Sequence, residues 1–154
     1  MCNSTSNNNL LQFVTFKLAK EYFAVEIVKV QEIIHMQPIT KVPNVPDFIE
    51  GIINLRGKVI PVVDLRTRFQ IQNTEFTEQT RIIVMDLKGQ IIGFIVDAVY
   101  EVLRIHESTV EAPPAIFNQI SEYISGMAKL ENRLLILLNL DELLTDEYIE
   151  KISF

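Results

Sequence analysis

Asp86 comes closest to a setting for reaction chemistry, because it follows the apolar run Ile82 to Met85 much as a phosphorylated aspartate follows its strand in a receiver module. A phospho-acceptor also needs further carboxylates to hold Mg²⁺ and alternating βα units. Asp86 instead leads directly into Lys88 and Gly89, a turn, so a solvated turn aspartate is the expectation. His35 and His106 each stand without a second histidine or cysteine at ligand spacing, so no metal site is expected. The chain has no G-x-S-x-G elbow, and its 5 glycines form no phosphate-cradling loop. No catalytic residue and no cofactor are expected. Two charged residues remain. Glu32 sits in the strand-like VQEII, where an unpaired carboxylate is costly if buried. Arg56 sits at the apex of a hairpin signal. By composition alone they read as an exposed strand glutamate and an ordinary turn arginine.

The elements that position these residues emerge from internal repetition. Leu18 to Ile34, LAKEYFAVEIVKVQEII, aligns without gaps on Leu87 to Leu103, LKGQIIGFIVDAVYEVL. Val30 falls on Val99, Ile33 on Val102, and Glu32 on Glu101. Gly51 to Phe69, GIINLRGKVIPVVDLRTRF, aligns on Gly126 to Leu144, GMAKLENRLLILLNLDELL. Here Gly51 meets Gly126, Leu55 meets Leu130, and Asp64 meets Asn139. Two such pairs in the same order, each with its turn residues in register, point to a duplicated supersecondary unit and two similar subdomains.

Each unit reads as short strands. Phe13 to Leu18 and Tyr22 to Ile27 are β-branched and aromatic and flank Ala19, Lys20 and Glu21. Arg81 to Leu87 and Gln90 to Val96 flank Lys88 and Gly89, and later turns fall at Arg56 and Gly57 and at Glu131 and Asn132. Pro61 interrupts a strand, which requires an edge or a bulge there. Asp64 and Asn139 follow apolar strands and can cap short helices, Asn139 with Glu142 at capping-box spacing. A terminal helix carrying Leu140, Leu143 and Leu144 on one face should pack onto a barrel. Pro113 and Pro114 mark a loop in a longer insertion of the second unit. The expected fold is mostly β: two small barrels side by side with a short C-terminal helix.

Composition bounds the partners. At 154 residues and 48% hydrophobic, the chain can bury a core without staples. A net charge of −6 argues against nucleic acid or anionic lipid as the main partner, since phosphate binding needs clustered lysines and arginines. Residues 1 to 9 read as a disordered tail and 10 to 154 as one domain of two intimately packed subdomains. Cys2 in that tail is the only cysteine, so no internal disulfide forms and a reducing compartment fits. The longest apolar run, Leu134 to Leu138, is far short of the roughly 20 residues that cross a bilayer, so a soluble protein without direct membrane insertion is expected.

KVQEII (29–34), FIEGIINLRGKVIPVVDLRTRF (48–69), GFIVDAVYEVL (93–103) and EYISGMAKLENRLLILLNLDELL (122–144) resemble the CheW family in content, order and spacing. The most specific element is Asn54-Leu55-Arg56-Gly57 followed by Pro61 and Asp64-Leu65-Arg66. The resemblance implies two five-stranded, SH3-like barrels. It also implies a cytoplasmic, non-catalytic adaptor of chemotaxis signal transduction, recruited to membrane receptor arrays. Such adaptors bind the cytoplasmic tips of methyl-accepting chemoreceptors and the regulatory domain of the histidine kinase CheA. Carried over residue by residue, the receptor-binding surface would comprise Val30, Glu32, Gly51, Arg56, Val99, Val102 and Gly126. Kinase contacts would lie on exposed barrel ends. The alternatives are the same kind of adaptor in a non-flagellar chemosensory pathway, or a small-ligand sensor, for which no convergent polar cluster is seen.

Overall fold

The computed structural model describes residues 10–45, 47–69, 71, 75–112 and 123–141. Eleven strands follow in chain order: β1 (Leu10–Leu18), β2 (Glu21–Glu26), β3 (Val30–His35), β4 (Ile49–Leu55), β5 (Lys58–Asp64), β6 (Arg81–Leu87), β7 (Gln90–Val96), β8 (Ala98–His106), β9 (Val110–Glu111), β10 (Ile124–Lys129) and β11 (Leu134–Leu138). One helical turn, α1 (Leu65–Arg68), follows β5, and 3-10 turns at Ile27–Lys29 and Glu107–Thr109 precede β3 and β9. The tail over 1–9, the proline loop at Pro113 and Pro114, and the terminal helix with Glu142, Leu143 and Leu144 lie outside the described residues.

The strands form two sheets. Sheet A has the order β8-β1-β2-β11-β10-β9, and sheet B has the order β3-β6-β7-β5-β4. The duplication is present in every ladder. Val14 opposite Val102 in sheet A corresponds to Ile83 opposite Ile33 in sheet B, and Phe16 opposite Val99 corresponds to Met85 opposite Val30. Gly126 opposite Leu137 matches Gly51 opposite Val62, with a bulge just before each glycine. The parallel pair Leu137 and Ala24 matches Val62 and Gly93. The backbone bond from Asp64 N–H to the Phe48 carbonyl, 2.7 Å, has its counterpart from Asn139 N–H to Tyr123, 2.8 Å.

The two halves of the chain are not the two subdomains. Each sheet takes the first hairpin of one repeat and the later strands of the other: β1 and β2 lie with β8, β10 and β11, while β6 and β7 lie with β3, β4 and β5. Sheet A also gains β9 as a sixth strand, and no continuous ladder closes either sheet into a barrel among the described residues. Instead the chain itself runs from one edge to the other. It leaves β8 through Glu107–Thr109 and pairs as β9 with β10. In the other half it leaves β3 and forms the isolated bridge between Thr40 and Ile52 of β4. Bulges at these strands increase their bend and twist, which lets short sheets curl this tightly.

Three cores explain why the strands read as unbroken apolar runs rather than alternations. Successive residues of β6 face opposite ways: Ile82 and Val84 join a core with Ile53, Ile60 and Val62, while Ile83 and Met85 enter a central core with Val14, Phe16, Val63 and Phe94. Phe13, Ala128, Leu135 and Leu137 form the third core, the repeat's counterpart of the first. A sheet buried on both faces has no polar face to show. Pro61 sits in β5 just before its parallel ladder with β7 begins at Val62, where no donor is required of it.

Candidate functional site

Glu32 and Arg56 meet. Arg56 Nη2 donates to Glu32 Oε2, although β3 and β4 are the opposite edges of sheet B. The ion pair therefore spans the seam where the curled sheet returns on itself. The β4–β5 turn makes this possible. Arg56 and Gly57 have φ of 51° and 87°, the left-handed pair of a tight hairpin turn, and Asn54 Oδ1 accepts the Gly57 N–H at 2.9 Å. The hydrogen bond to Glu32, then that residue's charge, push the Arg56 pKa above its ordinary value. The guanidinium is 70% exposed, so it is held at one end and presented to solvent at the other.

The same device recurs in sheet A. Glu101, which the repeat places on Glu32, lies 3.6 Å from Arg133 at the β10–β11 tip. Arg133 in turn stacks 4.6 Å above the Tyr22 ring, and Tyr22 meets Tyr100 at 5.7 Å. Glu101 was visible in the alignment, but Arg133 falls on Lys58 rather than Arg56, so its role was not legible.

The remaining expected contact residues divide by exposure. Val102 is 49% exposed, and its repeat partner Ile33 is 40% exposed. Val30 and Val99 are half-buried and pack on the margin of the central core. Gly51 and Gly126 are buried. A Cβ at Gly51, whose φ is 151°, would lie 2.2 Å from the Thr40 carbonyl oxygen, and one at Gly126 would lie 2.4 Å from Val110 Cγ1. Both glycines admit the chain segment that crosses the sheet's free edge.

Beneath this surface lies a charged cluster that the sequence did not announce. Arg66 is 1% exposed. Its Nε and Nη2 each donate to Asp64 at 3.2 Å, and Nη1 donates to Asp97 at 2.9 Å. Burial pulls the Arg66 pKa down, and the bonds and charges of Asp64 and Asp97 outweigh it, leaving the pKa raised. The other Asp97 oxygen accepts the Ala19 N–H at 2.6 Å, which ties the β1–β2 turn of sheet A to α1 beside sheet B. Arg68 lies between Phe48 and Tyr123, 5.1 and 4.8 Å from their centroids, and donates to the Tyr123 hydroxyl.

Asp86 is exposed and its Oδ1 accepts the Gly89 N–H at 2.9 Å, the solvated turn aspartate expected. Among the described residues no group of three or more His, Cys, Asp or Glu could hold a metal ion, and no helix is long and apolar enough to cross a membrane. Fold and site together define a duplicated β module that works through its surface, a scaffold class of protein.

Comparison with known proteins specifies the class. The model of the CheW-like domain matches residues 12–148. The chain is 36% identical to the chemotaxis protein CheW of Klebsiella aerogenes, over 88% of this chain and 82% of that protein. It is also 36% identical to CheW of Bacillus subtilis, over 88% of each. The crystal structure of the scaffolding protein TtCheW from Thermoanaerobacter tengcongensis superposes with a TM-score of 0.81 at 42% identity, covering 85% of each chain. This chain belongs to the CheW family of chemotaxis scaffolds.

Proposed function

We propose that this chain couples methyl-accepting chemoreceptors to the histidine kinase CheA, binding the receptors' cytoplasmic tips and the kinase's regulatory domain at membrane-bound arrays. The observation that carries the reading is the CheW-like match across residues 12–148, which includes the Asn54–Gly57 turn. The geometry supports a receptor surface built from the exposed Arg56, its partner Glu32, and the apolar Val30, Val99 and Val102. Gly51 and Gly126 act from below, by letting β4 and β10 accept their neighbours. The adaptor contributes binding free energy alone, and repeated linkage in an array raises effective concentration. Kinase control through it requires a contact whose energy differs between receptor states.

Co-sedimentation with receptor-containing membranes and CheA tests this. The unmodified chain should carry CheA into the pellet, and Glu32→Lys or Arg56→Glu should reduce its own pelleting without lowering its melting temperature. A chain that leaves CheA in the supernatant at every concentration refutes the coupling role. A double-mutant cycle with Glu32→Ala and Arg56→Ala should give non-additive losses of receptor affinity, around 0.5 kcal/mol or more. Strict additivity would show that the pair does not act as a unit.

A further inference from the structure

The parallel seam of sheet B begins two residues later than the repeat predicts. In sheet A the parallel ladder between β11 and β2 runs from Leu135 and Tyr22 to Leu137 and Ala24. The equivalent ladder between β5 and β7 should run from Ile60 and Ile91 to Val62 and Gly93, yet it starts only at Val62 and Gly93. Three substitutions account for the loss. Pro61 replaces the counterpart of Ile136 and has no N–H to donate. Lys58 and Ile91 occupy the positions of Arg133 and Tyr22, whose stacking closes the seam in sheet A.

The β4–β5 and β6–β7 hairpins therefore fork apart. A cleft of about 530 Å³ opens between Lys58–Pro61 and Gly89–Ile91. Among the described residues no strand pairs with β5 on its β7 side along Lys58–Pro61, so the ladder leaves this stretch as an open strand edge there. Val59 beside it is 45% exposed. Lys58 lines the cleft on one hairpin, Lys88 adjoins the lining residue Gly89 on the other, and among the described residues no acidic one lines the cleft. The carboxylate closest in sequence, Asp86, is engaged with Gly89. Arg56 reaches Glu32 on the β4 side of its hairpin, so the fork lies on the opposite side from that pair.

We propose that the fork docks an extended, acidic segment of a partner protein, which adds as a strand along the open edge of β5. Main-chain bonds to β5 would hold it, apolar side chains would cover Val59 and Ile91, and carboxylates would meet Lys58 and Lys88. The site does not depend on the adaptor reading. Its occupant is selected by chemistry the cleft displays: an open strand edge, the apolar Val59 and Ile91, and the positive charge of Lys58.

The ¹⁵N-labelled full chain, titrated with the capped peptide EVEVTE and separately with KVKVTK, tests the proposal by amide chemical shifts. The acidic peptide should shift Val59, Ile60, Gly89 and Ile91 saturably, and the basic one should not. Lys58→Glu with Lys88→Glu should weaken the acidic peptide about tenfold or more. Copying the closed seam into sheet B, with Lys58→Arg, Pro61→Ile and Ile91→Tyr together, should abolish binding while the signals of sheet A stay in place. If that variant does not fold, the two glutamate substitutions still decide the matter. Absence of saturable shifts from EVEVTE, shifts centred away from the fork, equal binding of both peptides, or unchanged binding by the glutamate or closed-seam variants would overturn it.

Discussion

The chain passes between the sheets twice, and each passage is pinned by an ion pair of opposite polarity. Where it leaves β7 in sheet B for β8 in sheet A, Asp97 is held by Arg66 of α1. Where it leaves β2 in sheet A for β3 in sheet B, Lys29 is held by Asp141, 2.6 Å away. The repeat places Asp141 on Arg66, and Lys29 beside Val28, the counterpart of Asp97. Cation and anion have exchanged ends. The backbone requires a tie at each passage and is indifferent to its sign. Neighbouring residues follow the sign: Asp64 supplies Arg66 with a second carboxylate, whereas its counterpart beside Asp141 is the neutral Asn139. Both side chains cap the following turn, Asp64 accepting Arg66 N–H at 3.0 Å and Asn139 accepting Asp141 N–H at 3.1 Å. Depth differs too. Arg66 is fully enclosed, while Lys29 and Asp141 keep 26% and 17% of their side-chain exposure.

That difference in depth sets the order of expected damage. Arg66→Met leaves Asp64 buried without its cation and should cost about 3–5 kcal/mol of stability, read as a fall in the urea midpoint. A loss below about 1 kcal/mol would mean that water replaces the arginine and the enclosure is only apparent. Gly51→Ala should cost about 1–3 kcal/mol, because the new methyl meets the Thr40 backbone. Gly126→Ala should cost less, since the obstruction there is first a valine side chain that can turn aside. Equal melting temperatures for the two alanine variants would remove the distinction. Lys29→Met should cost less than Arg66→Met, about 1 kcal/mol, because this pair keeps contact with solvent. Asn139→Asp sharpens the comparison further, by placing a carboxylate beside Asp141. It should destabilise by about 1 kcal/mol at neutral pH, and addition of Asp141→Arg together with Lys29→Asp, which reverses the whole tie, should recover the loss if polarity is the governing variable.

Much of this architecture is readable in the residues. The limits of β6 and β7, the turns at Arg56 and Gly57 and at Lys88 and Gly89, and the equivalence of the two units all follow from periodicity and turn chemistry. The strand exchange does not. Ile33 pairs with Ile83 rather than with Val14 of its own repeat, and the repeat makes Val14 and Ile83 equivalent, so pattern alone could not choose between them. The resemblance placed Glu32 and Arg56 on one surface, and the structure brings them into contact. The enclosure of Arg66 was missed because its local sequence, VVDLRTRF, reads as a surface helix start. The aspartate two residues earlier, ending an apolar strand, was the available sign. The packing role of Gly51 and Gly126 was not legible, because a glycine that admits a crossing chain and one that admits a partner look alike in sequence.

The strand exchange has a consequence for how the chain is made. Sheet A contains β1 and β2 together with β10 and β11, so of the described strands the earliest synthesised must wait for the last. During elongation the β1–β2 hairpin is tethered to the ribosome with Phe13, Val14 and Phe16 uncovered on its two faces and both edges open. Sheet B can assemble once β7 has emerged, since all five of its strands lie upstream of that point. Folding should therefore proceed in a fixed temporal order, sheet B first and sheet A once β11 has emerged. The early hairpin is the segment that a nascent-chain chaperone has most reason to shield.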